Sequence, residues 1–186
     1  MKLMSWIAGG LIACAGGVVA LPQVASAKLV REQPDPAQLR AERWYQAGVR
    51  ALKDTRYKEA LGLFERALPY KAGHANLLYN LVQASLNTKQ WDKVVLYGQG
   101  FIFRERGSQA SFEVQQSIDR AFTALASLGR TPVVYRFDMQ PIATEVRIND
   151  VPVSNALVNE VRLMPGKYTL TAPREGYEPF TQTLTV

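Results

Sequence analysis

Few side chains in this sequence are able to do covalent or metal chemistry. The chain holds one cysteine, Cys14, and one histidine, His74. One histidine excludes a two-His metal site, and one cysteine excludes both a Cys-based zinc cluster and an intrachain disulfide framework. That leaves little material for a nucleophile–base–acid relay. His74 follows Gly73 in a linker between predicted helices, where a solvated turn residue is expected. Gly166-Lys167 lacks the preceding glycine and the following Ser or Thr of a phosphate-cradling loop. Carboxylates are scattered, and no two of them are identifiable as an acid–base dyad. Catalytic residues, metal ligands and cofactors are therefore not assigned, and the remaining chemistry is that of binding.

The first 27 residues bear on compartment. Lys2 is the only charge before Lys28, residues 3–21 are uncharged, and Pro22 and Ala25-Ser26-Ala27 follow. A basic start, an apolar run and small residues two apart form the secretory signal pattern, with cleavage expected after Ala27. Two readings compete with it. Leu11-Ile12-Ala13-Cys14 looks like a bacterial lipobox, which would make Cys14 a lipidated N-terminus, although residues 15–21 stay apolar after it. An uncleaved anchor is the third reading, since a run of this length could just span a bilayer. All three export the remainder, to the periplasm or cell envelope, with an outer-membrane lipoprotein as the acylated case.

Charge is unevenly spread. Of 22 Lys and Arg against 16 Asp and Glu, residues 28–130 hold sixteen and ten, whereas residues 131–186 hold five and six. The basic surplus belongs to the middle segment. An exported chain rarely meets nucleic acid, so nucleic acid is not an expected partner. An anionic envelope polymer or lipid headgroup is the functional alternative. The plainer role for Arg40, Arg50, Lys53, Arg56, Lys58 and Arg66 is solvation of convex helix faces.

The elements that must carry any binding surface come in two kinds. Residues 28–36 form a polar, proline-containing lead-in, and Asp35-Pro36 is a helix start, with Asp as N-cap and Pro in the first turn. Apolar periodicity predicts helices over 39–53, 57–68 (halted near Pro69), 76–86, 91–103 and 112–128. The loop 104–111 precedes the last helix, and Gly129 is its expected C-cap. Adding 34 to a position in the first pair lands on a similar one in the second: Trp44 on Leu78, Tyr45 on Tyr79, Tyr57 on Trp91, Ala60 on Val94. A helix–turn–helix at this period is the signature of the tetratricopeptide repeat. Trp44, Gly48, Tyr57, Ala60, Phe64 and Ala67 resemble that family's repeat core, and the second copy departs from it with Val82, Val94 and Gly98. Residues 37–130 are thus expected to form two repeats and a capping helix. Because such arrays usually need about three units, the C-terminal segment is expected to dock on the capping helix.

From Thr131-Pro132 onward the period changes to two. Strands are expected over 133–137, 145–148, 158–163, 167–172 and 180–186, with turns at Asn149-Asp150 and Pro165-Gly166. Residues 146–150, 163–168 and 175–177 resemble the PEGA domain, a fold of exported, envelope-associated proteins that is generally thought non-catalytic. Ser154-Asn155-Ala156 departs from that family's pattern. The expected class is α+β and multidomain: tetratricopeptide-like helical hairpins, then a small antiparallel β-sandwich over residues 131–186. Tyr168, Tyr177 and Phe180 could stack on a glycan, with core packing the plainer role.

The tetratricopeptide resemblance implies a concave face lined by the first helix of each pair, which in that family takes extended peptides. Carried over position by position, the lining residues are Tyr45, Val49 and Leu52, then Tyr79, Asn80 and Gln83. No Arg or Lys occupies these positions, so the family's carboxylate clamp is not matched. The implied activity is that of a scaffold or adaptor for another envelope protein or peptide. The alternatives are a glycan- or peptidoglycan-associated binder and an accessory subunit of an envelope machine.

Overall fold

The computed structural model describes residues 35–137, 145–154, 160–173, 176 and 178–186. The expected signal segment with Cys14, the lead-in expected before Asp35, and Tyr177 lie outside the described residues. Helices come first: α1 (Pro36–Lys53), α2 (Tyr57–Lys71), α3 (Ala75–Asn87), α4 (Trp91–Arg104) and α5 (Gln109–Ser127). Strands follow: β1 (Val133–Arg136), β2 (Val146–Ile148), β3 (Val151–Ser154), β4 (Glu160–Leu163), β5 (Lys167–Ala172) and β6 (Phe180–Thr185). The class is α+β, helices before strands.

Local chemistry sets the helix ends. Asp35 Oδ1 accepts from Ala37 N at 2.9 Å, Pro36 occupies the first turn, and Arg50 and Lys53 lie in the last turn, where cations suit the helix dipole. Ser108 caps α5 by accepting from Ser111 N, so this helix starts before the predicted residue 112. Pro69 does not halt α2, which runs on to Lys71. A proline in the last turn forfeits one bond to the carbonyl four residues back, and tertiary packing of Ala67 and Leu68 outweighs that loss.

The 34-residue offset holds at the level of hydrogen bonds. At the end of α1, Asp54 N donates to Arg50 O (3.0 Å) and Arg56 N to Ala51 O (2.8 Å). At the end of α3, Thr88 N donates to Ala84 O (3.1 Å) and Gln90 N to Ser85 O (2.9 Å). The residue between is left-handed in both, Thr55 at φ 59° and Lys89 at φ 55°. Helix α5 ends the same way, with Gly129 at φ 70° and Arg130 N bonded to Leu125 O at 2.9 Å. Only the third site uses the residue that makes this conformation easy.

Packing then diverges between the two pairs. Gly48 of α1 receives Phe64 of α2 so closely that an added Cβ would sit 2.6 Å from its ring. The position equivalent to Phe64 in α4 is Gly98, and the side chains against it are Ile118 and Val114 of α5, at 2.7 and 3.3 Å from an added Cβ. Ala60, Phe64, Ala67, Leu78, Leu81, Val82 and Val94 are all fully buried.

The strands form two antiparallel sheets, β1–β4 and β3-β2-β5-β6. Strand β3 was not among those expected. Pro152 breaks its period, and the strand is tolerated because it lies at a sheet edge. The turn before it is tight, with Asn149 at φ 48° and Asp150 at φ 65°, as asparagine and aspartate permit.

The described residues make one compact unit, whose core continues from Phe64 and Leu81 through Val95 and Ile118 to Ile148, Val161 and Met164. The strands dock on α4, not on α5 as expected. Strands β3 and β4 both lie on α4, where Gly100 is small enough to admit Val151 and stands under the Pro152 carbonyl. Gln99 donates to Arg162 O and accepts from Arg162 N, both at 2.8 Å, so one side-chain amide pairs with the free edge of β4. Arg130 binds Asp92 at 2.9 Å, and Arg104 binds Glu145. The contribution of α5 is Phe122, under the Arg162 guanidinium at 5.7 Å.

Candidate binding groove

The six predicted lining residues fall on two helices whose ends are built alike. All six are half-buried. Tyr45, Val49, Leu52 and Tyr79 rest on the helical core. The ring of Tyr45 packs against Phe64 at 6.0 Å, and that of Tyr79 against Phe101 at 5.6 Å. Asn80 Nδ2 reaches the Tyr45 hydroxyl at 3.5 Å, the long limit of a hydrogen bond, and so joins α3 to α1 across the two pairs. The structure brings Tyr45 and Asn80 together. Gln83 sits one turn further along α3, and its backbone carbonyl accepts from Asn87 at 2.8 Å.

A cation stands beside this face after all. Because α2 continues past Pro69, Lys71 reaches back over the Tyr45 ring, its Nζ 5.4 Å from the centroid. It also pairs with Glu42 Oε2 at 2.5 Å. That hydrogen bond, and a second one from Gln46, hold the Glu42 carboxyl below its ordinary value. Beyond the pair lies a recess of about 320 Å³ lined by Gln38, Leu39, Glu42, Tyr70, Lys71 and His74. Leu39 and Tyr70 remain 45% and 48% exposed there, and Trp44 lies 6.5 Å from Tyr70. Sequence reasoning missed Lys71, Leu39 and Tyr70. A helix assumed to stop at Leu68 leaves Tyr70 and Lys71 in a loop, with no predictable direction.

The predicted core positions divide. Gly48, Ala60, Phe64 and Ala67 are buried, while Trp44, Tyr57 and Trp91 are half-buried. Tyr57 and Trp91 each occupy the first position of their helix. Outside the groove, burial raises the Tyr97 hydroxyl above its ordinary range, and the neighbouring Glu65 carboxylate, 2.8 Å away, adds to that.

Of the aromatic residues considered for glycan stacking, the two that are described, Tyr168 and Phe180, are not gathered. Tyr168 pairs with Leu184 and Phe180 with Ala172, near opposite ends of the β5–β6 ladder. The Tyr168 hydroxyl is held by Met164 O at 2.8 Å, and burial raises it above its ordinary range.

Comparison with protein-family models, with characterised proteins and with solved structures gives no match to any of them.

Proposed function

We propose that the protein is a non-catalytic scaffold or adaptor of the bacterial cell envelope. In this reading the helical part is of the tetratricopeptide type, and the face of α1 and α3 holds an extended segment of another envelope protein. The β part, PEGA-like and sandwich-like, is a docking element that completes the helical core. The observation that carries the reading is the approach of Asn80 to Tyr45, which makes one continuous aromatic–amide surface from two equivalent helices. The repeated helix-end hydrogen bonds and the Gly48–Phe64 packing support it.

The chemistry suits a peptide. Amides at Asn80 and Gln83 can donate to and accept from a peptide backbone, while the faces of Tyr45 and Tyr79 pack its apolar side chains. The Lys71–Glu42 pair at one end would discriminate by charge. An exported chain would meet envelope proteins at this groove.

The test is a photo-crosslinker at Gln83 in intact cells, in chains with and without Tyr45→Ala/Tyr79→Ala. The expected result is a discrete crosslinked protein that disappears with the double substitution while the melting transition persists. Retention of cell-wall binding, with no protein captured by either chain, overturns the reading in favour of a glycan binder.

A further inference from the structure

Strand β6 is an edge. Among the described residues it pairs only with β5. Edge strands are ordinarily blunted by a charge, a proline or a bulge. Residues 180–186 (Phe-Thr-Gln-Thr-Leu-Thr-Val) contain no charge and no proline. Phe180, Thr181, Gln182, Thr183 and Thr185 are exposed, and Phe180 keeps 56% of its surface in solvent.

The free hydrogen-bonding groups can be assigned. Val186 N donates to Gly166 O at 2.9 Å and Gly166 N to Val186 O at 3.2 Å. Antiparallel ladders alternate bonded and non-bonded pairs. Leu184, Gln182 and Phe180 therefore bond to β5, opposite Tyr168, Leu170 and Ala172. Thr181, Thr183 and Thr185 turn their N–H and C=O groups to the open edge.

We infer that β6 is a self-pairing surface, whose occupant is β6 of a second copy of this chain, antiparallel about a two-fold axis at Thr183. The sequence is palindromic in the chemistry such pairing needs. Centred on Thr183, each outward-facing threonine meets another, Thr183 with Thr183 and Thr181 with Thr185, so all their edge N–H and C=O groups are satisfied. On the opposite face Phe180 meets Val186 and Gln182 meets Leu184. The faces stay matched: Thr181 and Thr183 continue the row of Thr171 and Thr169 on β5. The neighbouring register, centred on Gln182, would set Thr185 against Pro179, which has no N–H to give. The pairing is isologous, hence closed at a dimer. It joins the two four-stranded sheets into one.

Sedimentation equilibrium on protein expressed from the full sequence, in the form the cell leaves it, tests this. The wild-type chain is expected to dimerise reversibly. Thr183→Lys and Thr183→Glu each place like charges opposite one another and are expected to weaken the dimer roughly five-fold or more. Mixing the two variants is expected to restore it as a heterodimer. Thr181→Lys with Thr185→Glu sets opposite charges across the axis and is expected to keep the dimer, which guards against a folding defect in the first pair. A wild-type chain that stays monomeric overturns the inference. So does a dimer indifferent to both Thr183 variants, or a Lys/Glu mixture that stays monomeric although each variant melts like the parent.

Discussion

Two glycines in helix interiors offer a matched experiment on how the strands are held. Gly62 in α2 has open space where a Cβ would go, with nothing within 4 Å. Gly100 in α4 does not: a Cβ there would run into Val151 Cγ1, stand 3.2 Å from Pro152 O and touch Leu78 at 3.7 Å. Replacing either by alanine gains the same helix propensity, about 1 kcal/mol. At Gly62 that gain stands alone, so Gly62→Ala should stabilise by about 1 kcal/mol. At Gly100 it is opposed by overpacking, which costs about 1–3 kcal/mol in a filled core. Relief is difficult, because the branched Val151 is stiff at χ1 and the Pro152 carbonyl belongs to backbone. The propensity term cancels between the variants, leaving a difference of about 1–3 kcal/mol. At roughly 2–4 °C per kcal/mol for a chain of this size, that amounts to several degrees in melting temperature. Thermal unfolding followed by far-UV circular dichroism reads it directly. If Gly100→Ala melts as high as Gly62→Ala, the strands do not lie on α4 as described.

Two further outcomes follow from the packing. Lys71 holds the Glu42 carboxyl below its ordinary value, so the folded state gains from this pair above the unfolded titration range and loses the gain as pH falls through the folded value. Lys71→Met should therefore return the Glu42 titration, followed by NMR, towards the ordinary carboxylate range, and its stability deficit should shrink in acid to the part owed to the Tyr45 contact. Ile118 fills the space that Gly98 leaves, so Gly98→Ala and Ile118→Val should destabilise less together than their sum, by about 1 kcal/mol in a urea-unfolding cycle; strict additivity would refute the contact.

What the sequence revealed, and what it hid, has physical causes. Apolar periodicity found each of the five helices among the described residues, because each buries one face and exposes the other. Their ends were harder. Gly129 was recognisable as a cap because glycine adopts positive φ freely, whereas Thr55 and Lys89 hold the same geometry with residues that carry no such mark. One proline misleads in each half, Pro69 by reading as a stop although it costs only one bond in a last turn, and Pro152 by interrupting the alternation of an edge strand. The six groove positions could be derived from the repeat, but Lys71 could not, since its direction depends on α2 continuing. The docking of the strands on α4 was hidden for a different reason. It rests on Gly100 and on the Gln99 amide, and nothing in their sequence surroundings distinguishes them from surface residues of a helix.

These failures share a pattern that bears on the architecture. The first helix pair closes on itself, since Phe64 is large and Gly48 receives it. The second pair cannot, because its equivalent of Phe64 is Gly98. The space is filled from outside, by Ile118 and Val114 of α5. The next glycine on α4, Gly100, opens a second space on another side of the helix, and Val151 of β3 fills that one. Besides its contact with Glu65 of α2, helix α4 is thus packed by its own partner α3, the helix after it, and the strands. Gly98, which departs from the repeat pattern, and Gly100 are where the chain closes a short stack by supplying its neighbours with sockets. A stack of two pairs, thin by itself, gains the burial that a longer array would take from further repeats. Because that closure happens on α4, the first-helix face carrying Tyr45 and Asn80 is left uncovered by the strands.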